Sequence, residues 1–254
     1  MKITFLGSGT SQGVPLIACQ CKVCQSTEPK NKRLRSSIQI DLDGKVIVID
    51  SGPDFRQQML RNHTMQLDAL IFTHEHKDHI AGMDDIRAYN YIHQKAIDVY
   101  ATIGVQTALR REFQYIFSDF KYPGIPQLNF KTISADAKFE AAGVEITPIE
   151  VLHYKLPVLG FRIHDFTYIT DANFIDETNL EKIKGSTHLV LNALRHEQHI
   201  SHFTLAEAIE VAKKTGVPNV YFTHISHQLG LHDEINSQLP KGMHLAYDEM
   251  VLEL

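Results

Sequence analysis

Short apolar runs alternate with polar turns along the whole chain, a pattern typical of a mixture of strands and helices. The runs Ser37–Leu42 and Lys45–Ile49 flank an Asp-Gly turn, which predicts a β-hairpin. The clearest helix is predicted over Leu205–Thr215. Thr204 and Glu207 precede and open that run in the T-x-x-E spacing of a capping box.

The remaining runs predict a chain in which strands and helices alternate irregularly. Further strands are predicted over residues 3–6, 67–72, 129–133, 144–150, 159–163, 166–169, 188–191 and 219–222, with one or two more within 243–252, and further helices over 55–62, 86–93 and 105–117. Hairpins mixed with crossovers favour an α/β protein with mixed sheets flanked by helices, not a purely parallel doubly wound sheet. We expect residues 1–254 to form a single domain.

Composition narrows the class of protein. The chain has 254 residues, of which 43% are hydrophobic and 22% are charged, as in an ordinary soluble globular protein. No apolar run approaches the roughly 20 residues that span a bilayer, so we expect no membrane contact. The net charge of −5 argues against a dedicated nucleic-acid surface. The N-terminus lacks a signal-peptide pattern, which predicts a cytoplasmic protein.

Residues able to bind or support a metal follow five apolar strand patterns, at or just beyond their ends. They are Asp50, His74, His153, Asp171 and His224. In open sheets, functional sites gather outside the carboxyl ends of strands, where the chain exits cluster. Packing alone does not explain why the residues at or just beyond the ends of these five strands are all Asp or His.

One of these strand ends extends into the motif His74-Glu75-His76-Lys77-Asp78-His79, which supplies three imidazoles and two carboxylates. Histidine and aspartate are ligands that zinc, manganese and iron accept. We expect His74 and His76 to face one ion and Asp78 and His79 to face a second ion. Residues from other strand exits complete the two sites: His153 closes the first, His224 closes the second, and Asp171 bridges the ions.

Two such ions, about 3.5 Å apart with a bridging hydroxide, supply a nucleophile at neutral pH and clamp a displacement centre. The centre would carry a small net positive charge, which suits an anionic substrate such as a phosphodiester.

The three cysteines, Cys19, Cys21 and Cys24, lie within six residues. An odd number of clustered cysteines in a reducing compartment does not favour disulfide bonds and favours a metal site. Three thiolates and one imidazole form a closed zinc site, so a histidine is expected as the fourth ligand.

These motifs resemble a known superfamily. The order H-x-H-x-D-H, then a single His, a single Asp and a last His is similar to that of the metallo-β-lactamase superfamily. GSGTSQGVP, C-x-C-x-x-C and THISHQ resemble the PhnP family of phosphoribosyl cyclic phosphodiesterases. The resemblance implies a four-layer αβ/βα sandwich with a dinuclear site at one edge of two facing sheets. It also implies that Asp50 supports that site from behind the ligands.

The resemblance assigns two further histidines. His227 corresponds to the fourth ligand of a structural zinc held by the three cysteines. His202 corresponds to the general acid, and its position just before a capped helix predicts a loop-borne side chain exposed to a cleft. His196 and His199 lie close enough in sequence to compete for that role. With Asp78, His202 is a predicted catalytic residue.

The implied function is a phosphodiesterase that uses two divalent ions, Zn²⁺ or Mn²⁺, on a small cyclic phosphodiester. Phosphoribosyl 1,2-cyclic phosphate and 2′,3′-cyclic nucleotides are the expected substrate types. A tRNA 3′-processing nuclease is an alternative, but we see no long basic arm for gripping tRNA. Thioester or lactam hydrolysis and a pyrroloquinoline-quinone biosynthesis protein B are more distant alternatives.

A non-catalytic metal-binding protein is an alternative of another class. Such a protein would tolerate the loss of any one ligand, whereas every expected ligand is present in this chain. The sequence leaves the oligomeric state open, with a homodimer as one option.

Overall fold

The computed structural model describes residues 1–119 and 122–254, which form fourteen strands, nine α-helices and three short 3-10 helices. The strands are β1 (Lys2–Gly7), β2 (Ser37–Leu42), β3 (Lys45–Ile49), β4 (Ala69–Ile71), β5 (Ile97–Ala101), β6 (Leu128–Thr132), β7 (Phe139–Ala141), β8 (Val144–His153), β9 (Leu156–Ile163), β10 (Phe166–Tyr168), β11 (His188–Asn192), β12 (Asn219–Thr223), β13 (Met243–Leu245) and β14 (Val251–Glu253). The helices are α1 (Lys22–Gln25), α2 (Phe55–Arg61), α3 (Lys77–Ile80), α4 (Arg87–His93), α5 (Ile103–Glu112), α6 (Gln114–Phe117), α7 (Glu177–Ile183), α8 (Leu205–Thr215) and α9 (His232–Asn236).

The strands form two seven-stranded mixed sheets. The first has the order β14-β1-β2-β3-β4-β5-β6 and the second has the order β13-β12-β11-β10-β9-β8-β7. In the first sheet, β14, β1, β2 and β3 pair antiparallel and the strands from β3 to β6 pair parallel. In the second, β7 to β10 pair antiparallel and β10 to β13 pair parallel. The prediction of mixed sheets is therefore confirmed.

Alternate residues of each strand pack on opposite faces, and this alternation produces the layers. In β3, Ile47 and Ile49 join a central core that also contains Phe161 of the second sheet. Val48 faces the other way and packs in a cluster with Phe55 of α2. A third cluster joins the outer face of the second sheet to α7 and α8, through residues such as Ala208. The result is the four-layer arrangement that the resemblance to the superfamily implied.

Several predicted elements are confirmed and one is wrong. The hairpin of β2 and β3 and the helix α8 have the predicted bounds, and the capping box is formed at Thr204. The single helix predicted over 105–117 is interrupted because Phe113, at φ −117° and ψ 45°, leaves the helical region between α5 and α6. The strand predicted over 144–150 continues to His153, where β8 turns tightly into β9.

Candidate metal centre

The three histidines predicted for the first ion come from two distant parts of the chain and lie close together in the structure. The ring nitrogens of His74, His76 and His153 that could bind an ion lie within 4.8 Å of one another. Nε2 of His74 is 3.0 Å from Nδ1 of His76. Nδ1 of His153 donates to the carbonyl oxygen of Ser201 at 2.7 Å, which leaves Nε2 as the ligand atom. Burial lowers the pKa of His74 and of His153, and the neutral imidazole is the form that binds metals.

The second predicted group also assembles, with ligand atoms of Asp78, His79, Asp171 and His224 within 4.8 Å of one another. Nε2 of His79 is 3.1 Å from a carboxylate oxygen of Asp78 and 3.1 Å from one of Asp171. Nδ1 of His224 is 3.2 Å from Asp171. These close contacts do not have hydrogen-bond geometry, so within the described residues Nε2 of His79 and both ring nitrogens of His224 are buried without a hydrogen bond. Because such orphaned groups are costly, a cation among these atoms fits the site.

Asp171 connects the two groups. One of its oxygens lies beside His79 and His224 of the second group. The other accepts a hydrogen bond from Nε2 of His202 at 2.9 Å, and ligand atoms of Asp171, His202 and His153 of the first group lie within 4.8 Å of one another. Asp171 is therefore the carboxylate that the two groups share.

Three of the strand-end residues have an uncommon backbone. Asp50, Asp171 and His224 have φ values of 64°, 53° and 57°, in the left-handed region that favours glycine. This conformation costs a residue with a β-carbon about 1–2 kcal/mol. Each of the three is buried and directs its side chain into the centre or its supporting network. The strain therefore accompanies the abrupt change of direction by which the chain leaves the strand and presents each side chain.

Asp50 lies behind the ligand groups and contacts His79 of one group and Thr73, which precedes His74 of the other. It accepts hydrogen bonds from Nδ1 of His79 at 2.7 Å and from the backbone N–H of Thr73 at 2.9 Å. It also accepts one from the Thr73 hydroxyl at 2.9 Å, and that hydroxyl lies 2.9 Å from Nδ1 of His74. Burial raises the pKa of Asp50, although His79 and Thr73 act in the opposite direction.

The sequence prediction missed Thr73. The signal was its hydroxyl immediately before the first histidine of the motif, at the end of an apolar run.

Of the three competing histidines, the structure brings His202 to the centre. His202 touches Asp171, as described above, whereas His196 is exposed. His199 is half-buried, and its Nδ1 lies 3.1 Å from Nδ1 of His202. The expectation that His202 is exposed to a cleft is wrong, since only 9% of the residue is accessible. The loop folds inward here, because the N–H of Phe203 donates to the carbonyl oxygen of Ala172.

Cys19, Cys21, Cys24 and His227 form a separate cluster, with ligand atoms within 4.8 Å of one another. Sγ of Cys21 is 3.3 Å from Nδ1 of His227, and Sγ of Cys19 is 3.6 Å from it. The backbone N–H of Cys24 and then His227 lower the pKa of Cys21 to about 6, whereas burial raises that of Cys24 to about 11. Three thiols and one imidazole at these distances match the donor set of a closed zinc site.

Backbone pairing brings the cysteine cluster to the edge where the metal centre lies. The N–H of Ile225 donates to the carbonyl oxygen of Ser8 at 2.9 Å, and the N–H of Thr10 donates to Ile225 at 3.1 Å. Ile225 stands between His224 of the centre and His227 of the cysteine cluster. The loop after β1 and the turn after β12 are therefore joined next to both groups.

Comparison with known proteins gives consistent matches. A family model described as the beta-lactamase superfamily domain matches residues 45–225. A crystal structure of a diphosphatase from the PhnP family is 39% identical, with a TM-score of 0.93, over 100% of this chain and 97% of that one. An octanoyltransferase of Porphyromonas gingivalis is 39% identical over 250 residues, which are 98% of this chain and 50% of that protein. A ribonuclease Z of Acaryochloris marina is 28% identical over 171 residues, 65% of this chain and 48% of that protein.

These matches, together with the fold, show that the chain belongs to the metallo-β-lactamase superfamily of hydrolases. Within that superfamily it lies close to the PhnP family. The chain spans about half the length of the two curated relatives named above. Among the described residues, no helix combines the length and the apolar character needed to cross a bilayer.

Proposed function

We propose that the chain is a hydrolase that uses two divalent ions, Zn²⁺ or Mn²⁺, to cleave a small phosphodiester. Phosphoribosyl 1,2-cyclic phosphate and 2′,3′-cyclic nucleotides are the proposed substrate types. One observation carries the proposal: the carboxylate of Asp171 stands between two complete ligand groups and also touches His202. The similarity to a PhnP-family diphosphatase supports chemistry at phosphorus.

In this proposal His74, His76 and His153 would hold the first ion, Asp78, His79 and His224 would hold the second, and Asp171 would contribute to both. When bound, a pair of such ions supplies a nucleophile at neutral pH and neutralises the charge of the phosphoryl oxygens.

The chain's own residues complete the reaction. His202 donates a proton from Nε2 to the departing oxygen, because a neighbouring imidazole is the side chain best suited to that transfer near neutral pH. In this structure Nε2 of His202 contacts Asp171 at 2.9 Å, and its proton would become available to the departing oxygen once the Asp171 carboxylate binds the ions. Asp50 and Thr73 hold Nδ1 of His79 and Nδ1 of His74, so that Nε2 of each ring faces the other members of its ligand group.

The same proposal assigns one structural Zn²⁺ to Cys19, Cys21, Cys24 and His227. That ion would fix the loop after β1 against the turn after β12, next to the metal centre. Its donors are four side chains of the chain itself, so it would leave no coordination position for a substrate.

A tRNA-processing nuclease is the second candidate, because relatives described as ribonuclease Z match 60–65% of this chain. The net charge of −5 is unfavourable for a tRNA surface. The octanoyltransferase is twice as long as the matched segment, so its name alone does not assign that activity to the part this chain resembles.

A substrate panel tests the proposal. The protein is loaded with Zn²⁺ or Mn²⁺ and assayed on 5-phosphoribosyl 1,2-cyclic phosphate, a 2′,3′-cyclic nucleotide, a nucleoside diphosphate and precursor tRNA. We expect turnover of the cyclic diesters, abolished in Asp171→Asn. Cleavage of precursor tRNA alone would support the nuclease, cleavage of the diphosphate alone would move the activity to phosphoanhydrides, and no cleavage with any metal would support a binding protein.

A further inference from the structure

Asn173 lies where three segments of the candidate metal centre meet. It follows the shared carboxylate Asp171 by two residues. Its side-chain oxygen Oδ1 accepts a hydrogen bond of 2.7 Å from the backbone N–H of Tyr154, the residue after the ligand His153. Its side-chain nitrogen Nδ2 donates to the carbonyl oxygen of Ile200 at 3.2 Å, two residues before the proposed proton donor. One side chain therefore connects the segment of the first ion to the segment of the proton donor.

The backbone around Asn173 is itself fixed to the end of β8. The N–H of Asn173 donates to the carbonyl oxygen of Leu152 at 2.8 Å, and the N–H of Leu152 donates to that of Phe174 at 2.9 Å. The amide orientation is fixed as well, because the N–H of Tyr154 needs an acceptor and the carbonyl of Ile200 needs a donor. The side chain thus starts from a rigid base and has one orientation that satisfies both partners.

The turn that Asn173 holds has a strained backbone. Tyr154 and Lys155 form the two-residue loop between the paired residues His153 and Leu156. Tyr154 has a φ of 60°, in the left-handed region that favours glycine. Such a conformation persists where the surrounding structure determines it, and the hydrogen bond from the Tyr154 N–H to Asn173 is one contact that does so.

The segment before His202 depends on contacts of this kind. Four of the five residues in the range 196–200 are exposed. Two neighbouring carbonyl oxygens at its end are held from the metal centre: Asn173 donates to that of Ile200, and Nδ1 of His153 donates to the next one at 2.7 Å. Because exposed segments with few buried contacts open most easily, these two hydrogen bonds should determine how firmly the ring of His202 stays at the centre.

We propose that Asn173 is a positioning residue, which holds the segment of the proton donor His202 against the turn that follows the ligand His153. The inference rests on the proposed function and adds to it a residue that acts through His202 without touching the substrate. Loss of the Asn173 side chain should therefore slow protonation of the departing oxygen more than attack at phosphorus.

Two alanine substitutions and two diesters test this role. Asn173→Ala removes both side-chain hydrogen bonds. Asn219→Ala is the matched control, because it removes a hydrogen bond of 3.0 Å from an amide nitrogen to the carbonyl oxygen of Thr187. Asn219 is the first residue of β12, whereas the centre lies beyond the last. The substrates are a 2′,3′-cyclic nucleotide, whose departing ribose oxygen needs a proton, and bis-p-nitrophenyl phosphate, whose p-nitrophenolate departs without one.

In the metal-loaded protein, we expect Asn173→Ala to lower kcat on the cyclic nucleotide about tenfold and kcat on bis-p-nitrophenyl phosphate less than about threefold, without loss of metal. Asn219→Ala should keep both values of the wild type. His202→Ala should show the same selectivity more strongly. Equal losses on the two diesters, or no loss on either, would overturn the proposal, because a purely structural role does not distinguish between leaving groups.

Asn173→Asp is a second variant, for use if the alanine variant does not fold. It keeps the acceptor for the N–H of Tyr154 and loses the donor to the carbonyl oxygen of Ile200. Its added charge acts on both anionic diesters, so the ratio of the two kcat values still reports protonation of the leaving group. We expect that ratio to change in the same direction as in Asn173→Ala, and an unchanged ratio would contradict the proposal.

Hydrogen exchange of the metal-loaded protein gives an answer that does not depend on turnover. Backbone amides of residues 199–203 should exchange about tenfold faster in Asn173→Ala and at the wild-type rate in Asn219→Ala. If the wild-type protein hydrolyses neither diester, the proposed function fails while this measurement still decides whether Asn173 holds the segment. Equal exchange in all three proteins would show that it does not.

Discussion

The hydroxyl of Thr73 is expected to determine how well one of the two ions is held. An ionised Asp50 has no hydrogen to give, so the single hydrogen of the Thr73 hydroxyl goes to the carboxylate. Nδ1 of His74, which lies 2.9 Å from the same hydroxyl, must then donate to it. This fixes the tautomer of His74 in which Nε2 carries a free lone pair for the ion. Thr73→Val keeps the shape of the side chain and removes this constraint.

The structure gives the size of the effect. The substitution leaves the buried Nδ1–H of His74 without a partner, whereas Asp50 keeps its bonds from His79 and the Thr73 backbone. One unsatisfied buried donor costs about 1–3 kcal/mol of unfolding free energy. Loss of a residue that orients a ligand typically lowers metal affinity by about 10–100-fold. Because His74 belongs to only one ligand group, the weakening should affect one of the two ions.

Chelator competition, followed by the number of ions bound per chain, measures this affinity. Thr73→Ser keeps the hydroxyl and should bind both ions nearly as the wild type does. Thr4→Val is the matched control, since the Thr4 hydroxyl is buried without a hydrogen-bond partner among the described residues. If Thr73→Val lost stability but bound both ions with wild-type affinity, Thr73 would contribute to folding alone, and the tautomer argument would be refuted.

Three further outcomes are expected. His202→Ala should slow hydrolysis of a diester with an alkoxide leaving group by about 10²–10⁴-fold without loss of metal, and an unchanged rate would remove His202 from proton transfer. Cys21→Ser should lose one zinc per chain and lower Tm, both of which metal analysis and thermal unfolding would detect. Burial, and then Arg33, lowers the pKa of His232 from 6.5 to about 4. Between these pH values the unfolded chain binds more protons than the folded chain, so the free energy of unfolding should decrease as the pH is lowered from 7 to 5. Urea unfolding of His232→Gln should show a smaller decrease over the same range.

Elements with strong local signals were predictable from the sequence. The capping box starts α8 at the predicted residue, and the Asp-Gly turn sets the β2–β3 hairpin. The strand β5, second from the edge of the first sheet, was not predicted, because Asp98 interrupts its apolar run. In the structure the Asp98 carboxylate accepts a hydrogen bond from Asn129 of the neighbouring strand, a contact that local sequence does not reveal. The pairing of β14 with β1 joins the two ends of the chain and has no local signal either.

Some residues of the candidate site could likewise be predicted from the sequence and others could not. Its ligand residues were predictable because each follows a recognisable strand, and parallel strands place their carboxyl ends at one edge. Thr73 was not predicted to have this role. Its contact with the carboxylate of Asp50 depends on tertiary structure, because the two residues follow different strands. The burial of His202 was mispredicted for the same reason, since the inward fold of its loop is set by residues far along the chain.

The left-handed backbone of Asp171 and His224 and the unpartnered nitrogens of His79 and His224 belong to one arrangement. The left-handed backbone and the buried nitrogens without hydrogen bonds oppose folding, and the carboxylates beside them and the hydrophobic core must offset this cost when the polypeptide folds without ions. Bound cations would satisfy the nitrogens and attract the carboxylates of Asp78 and Asp171. The features that destabilise the folded protein without ions are therefore the features that metal coordination would stabilise. Metal affinity and folding stability should be coupled at this centre, because a preformed ligand set exists only in the folded chain.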